Sequence, residues 1–187
     1  NIQNEFSDWN TVHHTFTYCN ALHKSIKRAN STELLRGVFH GAMKLYLDRF
    51  LNIPPAPLPR QNLGTKSSDE FLTQLLEILD MQQRVDEASE IVYGYLQSEL
   101  DEEVLWKTLC HALIREDVGF HSIQNLEAGY SIYKELPGIE EKRRVLLATT
   151  RFLAAHSPTP RALFQTATIA IRLQRGEDLY QAENPQS

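Results

Sequence analysis

The run LCHALIREDVGFHSIQNLEAGY (residues 109–130) carries the question on which the reading of the chain turns. Read at helical spacing, Leu109, Ala112, Leu113, Phe120, Ile123 and Tyr130 share one face, and Glu116 interrupts it. Two histidines (His111, His121), the adjacent carboxylates Glu116 and Asp117, and Glu127 lie among these apolar residues. Charged side chains are rarely buried unless they are paired or hold a metal. The run therefore predicts a packed helix with ionisable chemistry in it.

Outward from this run the signals are helical on both sides. Asp101-Glu102-Glu103 favour a helix start by opposing the macrodipole, Gly119 marks a kink or a break, and Pro137-Gly138 end the segment. A helix over about 139–156 follows. The last one is expected to start at SPTP (157–160), with Thr159 as N-cap and Pro160 in the first turn, and to stop at Gly176. Towards the N-terminus, Trp9, Val12, Phe16, Cys19, His23 and Ile26 recur at three- and four-residue steps over 8–28. Asn30 or Ser31 caps a second helix to about Leu51. Its stripe is Leu35, Val38, Phe39, Ala42, Tyr46 and Phe50. NIPPAPLP (52–59) stops helix formation, and Ser67 with Glu70 forms a capping box for the next helix. Eight glycines and no clean alternation argue against a sheet. The expectation is one all-α domain over 1–187, a bundle of seven or eight helices. It comprises a helix pair (8–51), a Pro-rich linker (52–66) and helices over 67–175.

Composition narrows the function. A net charge of −5 disfavours general nucleic-acid binding and gives no electrostatic reason to sit on an anionic membrane. No run of about 18 apolar residues occurs, and the first residues lack the features of a signal peptide, so a cytoplasmic setting is expected. The start at Asn1 suggests trimming or a piece of a longer protein. Cys19 and Cys110 stand alone, which excludes a thiolate zinc site or an Fe–S cluster held by this chain.

The candidate metal ligands are His13, His40, His111, Glu116, Asp117 and His121. Asp117 and His121 are four apart and would be neighbours on a helix, where both could reach one ion. Carboxylate with imidazole suits non-haem iron, manganese or zinc, and helical bundles build such sites from facing helices. Asn20 and Asn125 are candidates to orient the ligands. The bland reading makes the same residues a structural network, with Arg115 pairing Glu116 at a helix junction. His13, Thr17 and Asn20 form a polar strip, His14 lies on the other flank, and His23 is read as core or core edge. Gly37 and Gly41 four apart suggest close helix packing, with Glu33 a remote candidate beside His40. His156 is read as meeting the carbonyl end of its helix, and EEKRR (140–144) as a solvated face.

Four strings, HHTFTYCNALH (13–23), LLRGVFHGAMKLYLDRFLNIPPAPLP (34–59), HALIREDVGFHSIQNLEAGY (111–130) and RFLAAHSPTPRALFQTATIAIRLQRGEDLY (151–180), together resemble the helical region of bacterial Rieske [2Fe–2S]-domain proteins. The resemblance implies a cluster-bearing Rieske domain elsewhere in a parent protein, since the paired Cys/His loops of such a centre are absent here. It implies for this part a substrate, metal or docking role, and assigns no catalytic residues. Three functions compete. One is a non-haem iron redox domain, oxygenase-like and served by that Fe–S carrier, acting on an unknown small molecule. The second is a non-catalytic helical interaction or assembly domain, and a homodimer is an expected partner arrangement. The third is a pocket for an organic ligand or haem.

Overall fold

The computed structural model describes residues 6–29, 31–60, 64 and 66–177. Among them are eight α-helices and no strand: α1 (Phe6–Arg28), α2 (Thr32–Asp48), α3 (Ser68–Leu79), α4 (Val85–Gln97), α5 (Glu102–Ile114), α6 (Phe120–Glu135), α7 (Ile139–Ala155) and α8 (Ala162–Gln174), with a 3₁₀ turn at Arg49–Asn52 after α2. The all-α bundle expected from periodicity is what forms.

Several boundaries follow from their caps. Ser31 accepts from the Leu34 amide at the start of α2. Ser67 and Glu70 close a reciprocal capping box on α3. Asp101 accepts from the Glu103 amide and opens α5. The run 109–130 is not one helix. It breaks after Ile114, and α6 starts at Phe120 beyond Gly119, so Glu116 and Asp117 sit in a loop rather than on the face with Phe120 and Ile123. The last helix also starts later than Thr159 suggests. Arg161, at φ 54°, occupies its N-cap position without a side-chain cap of its own.

The core is built by α3 to α7. Phe71, Leu75, Leu79, Val92, Tyr95, Leu105, Leu109 and Leu146 are all fully enclosed. The helix α7 lies between α4 and α6, α3 covers α4, and α1 packs on α6 and carries α2 on its far side. Two glycine contacts set the distances. A Cβ at Gly129 of α6 would stand 2.3 Å from Thr149 Oγ1 of α7, and that hydroxyl is already fixed by donating to the Val145 carbonyl at 2.9 Å. A Cβ at Gly37 of α2 would meet Leu22 of α1 at 2.7 Å, and the Tyr18 hydroxyl donates to the Gly37 carbonyl at 3.0 Å. The glycine pair on α2 therefore serves close packing within the chain.

Burial is uneven. On α2 only Gly41 is buried, and on α8 no residue is. Phe39, Met43, Tyr46 and Phe50 on one side of α2 and its 3₁₀ turn, and Leu163, Phe164 and Leu173 on α8, are all more than half exposed.

The α6–α7 crossing gives a direct test. Gly129→Ala should destabilise the fold by about 1–3 kcal/mol through overpacking, although alanine is the better helix former. Gly129→Ala with Thr149→Ala should recover most of that loss, as read by urea unfolding of both variants and the Thr149→Ala control.

Candidate functional site

The loop 115–119 settles what the acidic pair does. Glu116 is buried, and its Oε2 accepts from the Thr159 amide at 2.7 Å and the Thr159 hydroxyl at 2.8 Å. Its Oε1 accepts from Arg161 Nε at 3.0 Å and Nη2 at 2.5 Å, with Arg115 Nε 3.7 Å away. Arg161 and Arg115 also pair with Asp80 at the end of α3. Asp117 accepts from the amides of Ala162 at 2.7 Å and Leu163 at 2.9 Å, so it caps α8 from a distant part of the chain. Both carboxylates therefore hold the start of α8. The Asp117–His121 pairing at helical spacing does not form, because the helix begins only at Phe120. Burial alone would raise the Glu116 pKa, but the Arg161 and Thr159 hydrogen bonds and the Arg161 charge outweigh it and hold the group below the usual carboxylate range. Arg161 is correspondingly pushed up by Glu116 and Asp80.

His40 and His111 do not join this region. His40 is exposed on α2 beside Tyr18, Phe39, Met43 and Lys44, and His111 is exposed on α5. Glu33 is exposed on α2. His23, expected at the core edge, is half exposed and bonds Glu135 at 2.6 Å. Asn20 donates to Glu127 at 3.4 Å.

The structure does gather His13 and His121, and with them His14 and His156. From α1 and α6, the rings of His13, His14 and His121 lie with centroids 5.6 Å (13–14), 5.1 Å (13–121) and 4.8 Å (14–121) apart. Phe152 of α7 lies 5.0 Å from His13 and stacks on His156 at 4.1 Å. His156 Nδ1 is 2.7 Å from the Phe152 carbonyl, the contact expected at the end of its helix, which fixes the proton on that nitrogen. Among the described residues no group of three or more His, Cys, Asp or Glu side chains is arranged to hold a metal ion as it stands.

His13 is 1% exposed, and desolvation together with the neighbouring His121 and His14 holds its pKa down to about 4, with a side-chain hydrogen bond to Gln124 working the other way. His13 is thus a neutral imidazole at pH 7. Its Nδ1 lies 3.4 Å from Asn125 Nδ2, while its Nε2, Asn125 Oδ1 and His121 Nδ1 are buried without a hydrogen bond. Burial and the Phe152 carbonyl contact act in opposite directions on His156, and burial prevails, lowering its pKa.

Two cavities flank the cluster. One, of about 230 Å³, lies at the 116–122 loop beside His121, His156 and Thr159. The other, of about 290 Å³, lies between α1, α6, α7 and the segment 52–58, with His13 and Asn125 in its wall. His14 and His156 were legible only as single histidines, and Arg151, which lines the second cavity, carries no motif. Nothing in the spacing of α1, α6 and α7 residues announces that they meet. Compared with models of protein families, with curated proteins and with solved structures, the chain matches none.

The Glu116 anchor has a pH signature. A carboxylate whose folded pKa is depressed adds stability that is present above its unfolded value near 4.5 and is lost as the pH falls through the folded value. Glu116→Gln should flatten the stability–pH curve below pH 4.5. Glu116→Ala should cost about 3 kcal/mol, the lower part of the range for a broken buried pair because Arg161 is partly exposed. Acid and urea titrations of both variants check this.

Proposed function

We propose that this chain binds a transition-metal ion through the imidazoles of His13, His14 and His121, as the metal-bearing helical part of a redox protein. The observation that carries the reading is three imidazole rings from two helices within 4.8–5.6 Å of one another. Imidazoles bound to one tetrahedral ion through nitrogens at about 2.0–2.1 Å place their ring centres roughly 5 Å apart. The residues fit such an ion in two further respects. A buried imidazole that is neutral at pH 7 is in the ligating state, and its nitrogen without a partner is a cost that an ion would remove. Asn125, once its amide is turned, can accept from Nδ1–H of His13 and leave Nε2 as the donor, the usual support for a ligating histidine. Coordination requires the rings to reorient, which exposed His14 and half-buried His121 have room to do.

With Glu116 and Asp117 committed to α8, the protein ligands are imidazoles alone. That set accommodates zinc, copper or iron. Iron served by an Fe–S electron carrier is the redox version of this reading, in which the metal would supply oxygen or substrate activation.

The test is metal content after anaerobic loading with Fe(II), Zn(II) or Mn(II) and desalting. One equivalent is expected in wild type and in the His40→Ala and His111→Ala controls. His121→Ala and His14→Ala should lose it while keeping wild-type helical content. Absence of metal from wild type, or retention in His121→Ala, overturns the reading in favour of a structural polar cluster.

A second reading, assembly, is favoured by α2 and α8. Phe39, Met43, Tyr46 and Phe50 on one side of α2 and its 3₁₀ turn are each more than half exposed, and so are Leu163, Phe164 and Leu173 of α8. Clustered outward apolar side chains of this kind mark interaction surfaces. The α2 face suits a second copy. Light scattering behind size exclusion should give a dimer for wild type, and Phe39→Glu with Met43→Glu should give a monomer of unchanged helicity. A monomeric wild type at near-millimolar concentration removes this reading.

A further inference from the structure

The cavity between α1, α6, α7 and the segment 52–58 shares His13 and Asn125 with the metal reading, and its mouth adds a chemistry which that reading does not use. Its volume of about 290 Å³ is at the lower end of the range for small-molecule sites. The walls are mostly apolar, with Trp9, Phe16, Leu147 and Phe152 from two helices and Leu58 from the Pro-rich segment. That segment is tied down over the cavity because Arg151 Nη2 donates to the Pro57 carbonyl at 2.7 Å. The chain stretch that stops helix formation in the sequence thus becomes one side of a pocket.

The polar groups in this wall divide by depth. His13 and Asn125, at 1% and 5% exposure, are the deep ones, and His13 Nε2 and Asn125 Oδ1 have no hydrogen bond. Nearer the solvent stand two arginines of α7. Arg144 is exposed, and among the described residues no hydrogen bond or ion pair engages it, whereas its neighbour Arg143 pairs with Glu140. Arg151 is half-buried, with its Nε enclosed and without a partner. Desolvation lowers the Arg151 pKa, and Asp86 is near enough to oppose this without forming an ion pair among the described residues. No Asp or Glu is among the residues that line the cavity. A buried guanidinium nitrogen and one deep imidazole nitrogen, both without a hydrogen-bond partner among the described residues, are groups that native structures normally satisfy.

We propose that this cavity binds a small apolar organic acid. Its carboxylate meets Arg144 and Arg151, its body lies against Trp9, Phe16, Leu147 and Phe152, and a hydroxyl or carbonyl substituent reaches His13 and Asn125. An arginine guanidinium matches the planar carboxylate with two parallel N–H donors, which a neutral ligand cannot exploit. The proposal goes beyond the metal reading and stands on the cavity alone, so it is tested on metal-free protein.

The experiment is calorimetric titration of EDTA-treated full chain with 2-naphthoate, and with 2-naphthalenemethanol as the uncharged comparison. The acid should bind saturably at one site and at least tenfold more tightly than the alcohol. Arg144→Gln, an exposed position, should remove most of that preference, and Arg151→Gln should do the same if it keeps wild-type helicity. Ala148→Trp, which places a ring in the cavity wall, should abolish binding of both probes. Absence of saturable binding by the acid at millimolar concentration overturns the proposal. So does equal binding of acid and alcohol, or binding that survives Ala148→Trp, which would place the probes on the exposed faces of α2 and α8. Because no metal is present, each of these outcomes is separable from the fate of the imidazole centre.

Discussion

The contact on which the arrangement depends is the crossing of α6 and α7 at Gly129 and Thr149. The absence of a side chain at Gly129 lets α7 approach until the Thr149 hydroxyl nearly fills the space a Cβ would take. That closeness fixes how His121 and Asn125 on α6 face Phe152 on α7. The groove beside it receives α1, whose His13 then lies 5.0 Å from the Phe152 ring and 5.1 Å from the His121 ring. With a larger residue at 129 the helices would separate, and the imidazoles would lose both their packing and their common neighbourhood.

The ionisable residues sort into two groups with opposite physics. Around α8 the charges are compensated. Glu116 and Asp80 share two arginines, and Asp117 serves amides that have no partner within the helix. This is an anchor, and it explains how a helix with no buried residue is joined firmly to the bundle at one end. Around His13 the polar groups are uncompensated. One nitrogen of a neutral imidazole, an amide oxygen and an arginine nitrogen are enclosed with no hydrogen-bond partner among the described residues. Folding tolerates such groups at a cost, and costs of this kind concentrate where a protein handles a ligand.

Some of the residues singled out in the sequence come together in the fold, for reasons that can be named. His13 lies in the polar strip beside the apolar stripe of α1, and Asn125 lies one turn beyond His121 on α6, so their convergence needed only the two helices to meet. Glu116 and Asp117 read as ligands because a single helix over 109–130 would have turned them inward. The break at 115–119 reassigns them to the α8 junction, and the bland alternative of a charged pair at a helix junction describes Glu116. His40 and His111 carry the same side chain as His13 but fall on surfaces that none of the described residues covers. Arg144 read as part of a solvated charge run, and its place at a cavity mouth depends on the Pro-rich segment folding across α7.

What the sequence by itself determined is the set of helices: the starts at Asn30 or Ser31, at Ser67 and at the acidic run 101–103, the stop at the prolines of 52–59, and the apolar periodicity that makes a bundle. These are local properties, set by spacing within a turn or two and by which backbone groups a neighbouring side chain can satisfy. What only the tertiary structure decided is which polar residues meet. His13 and His121, Glu116 and Arg161, and Arg151 and Pro57 are brought together by helix crossings whose angles depend on side-chain volumes across the interface. The α2 face carrying Phe39 and Met43 makes the same point in reverse. Its periodicity reads as a buried stripe, but with Gly37 and Gly41 turned toward α1, the larger apolar side chains are left outside.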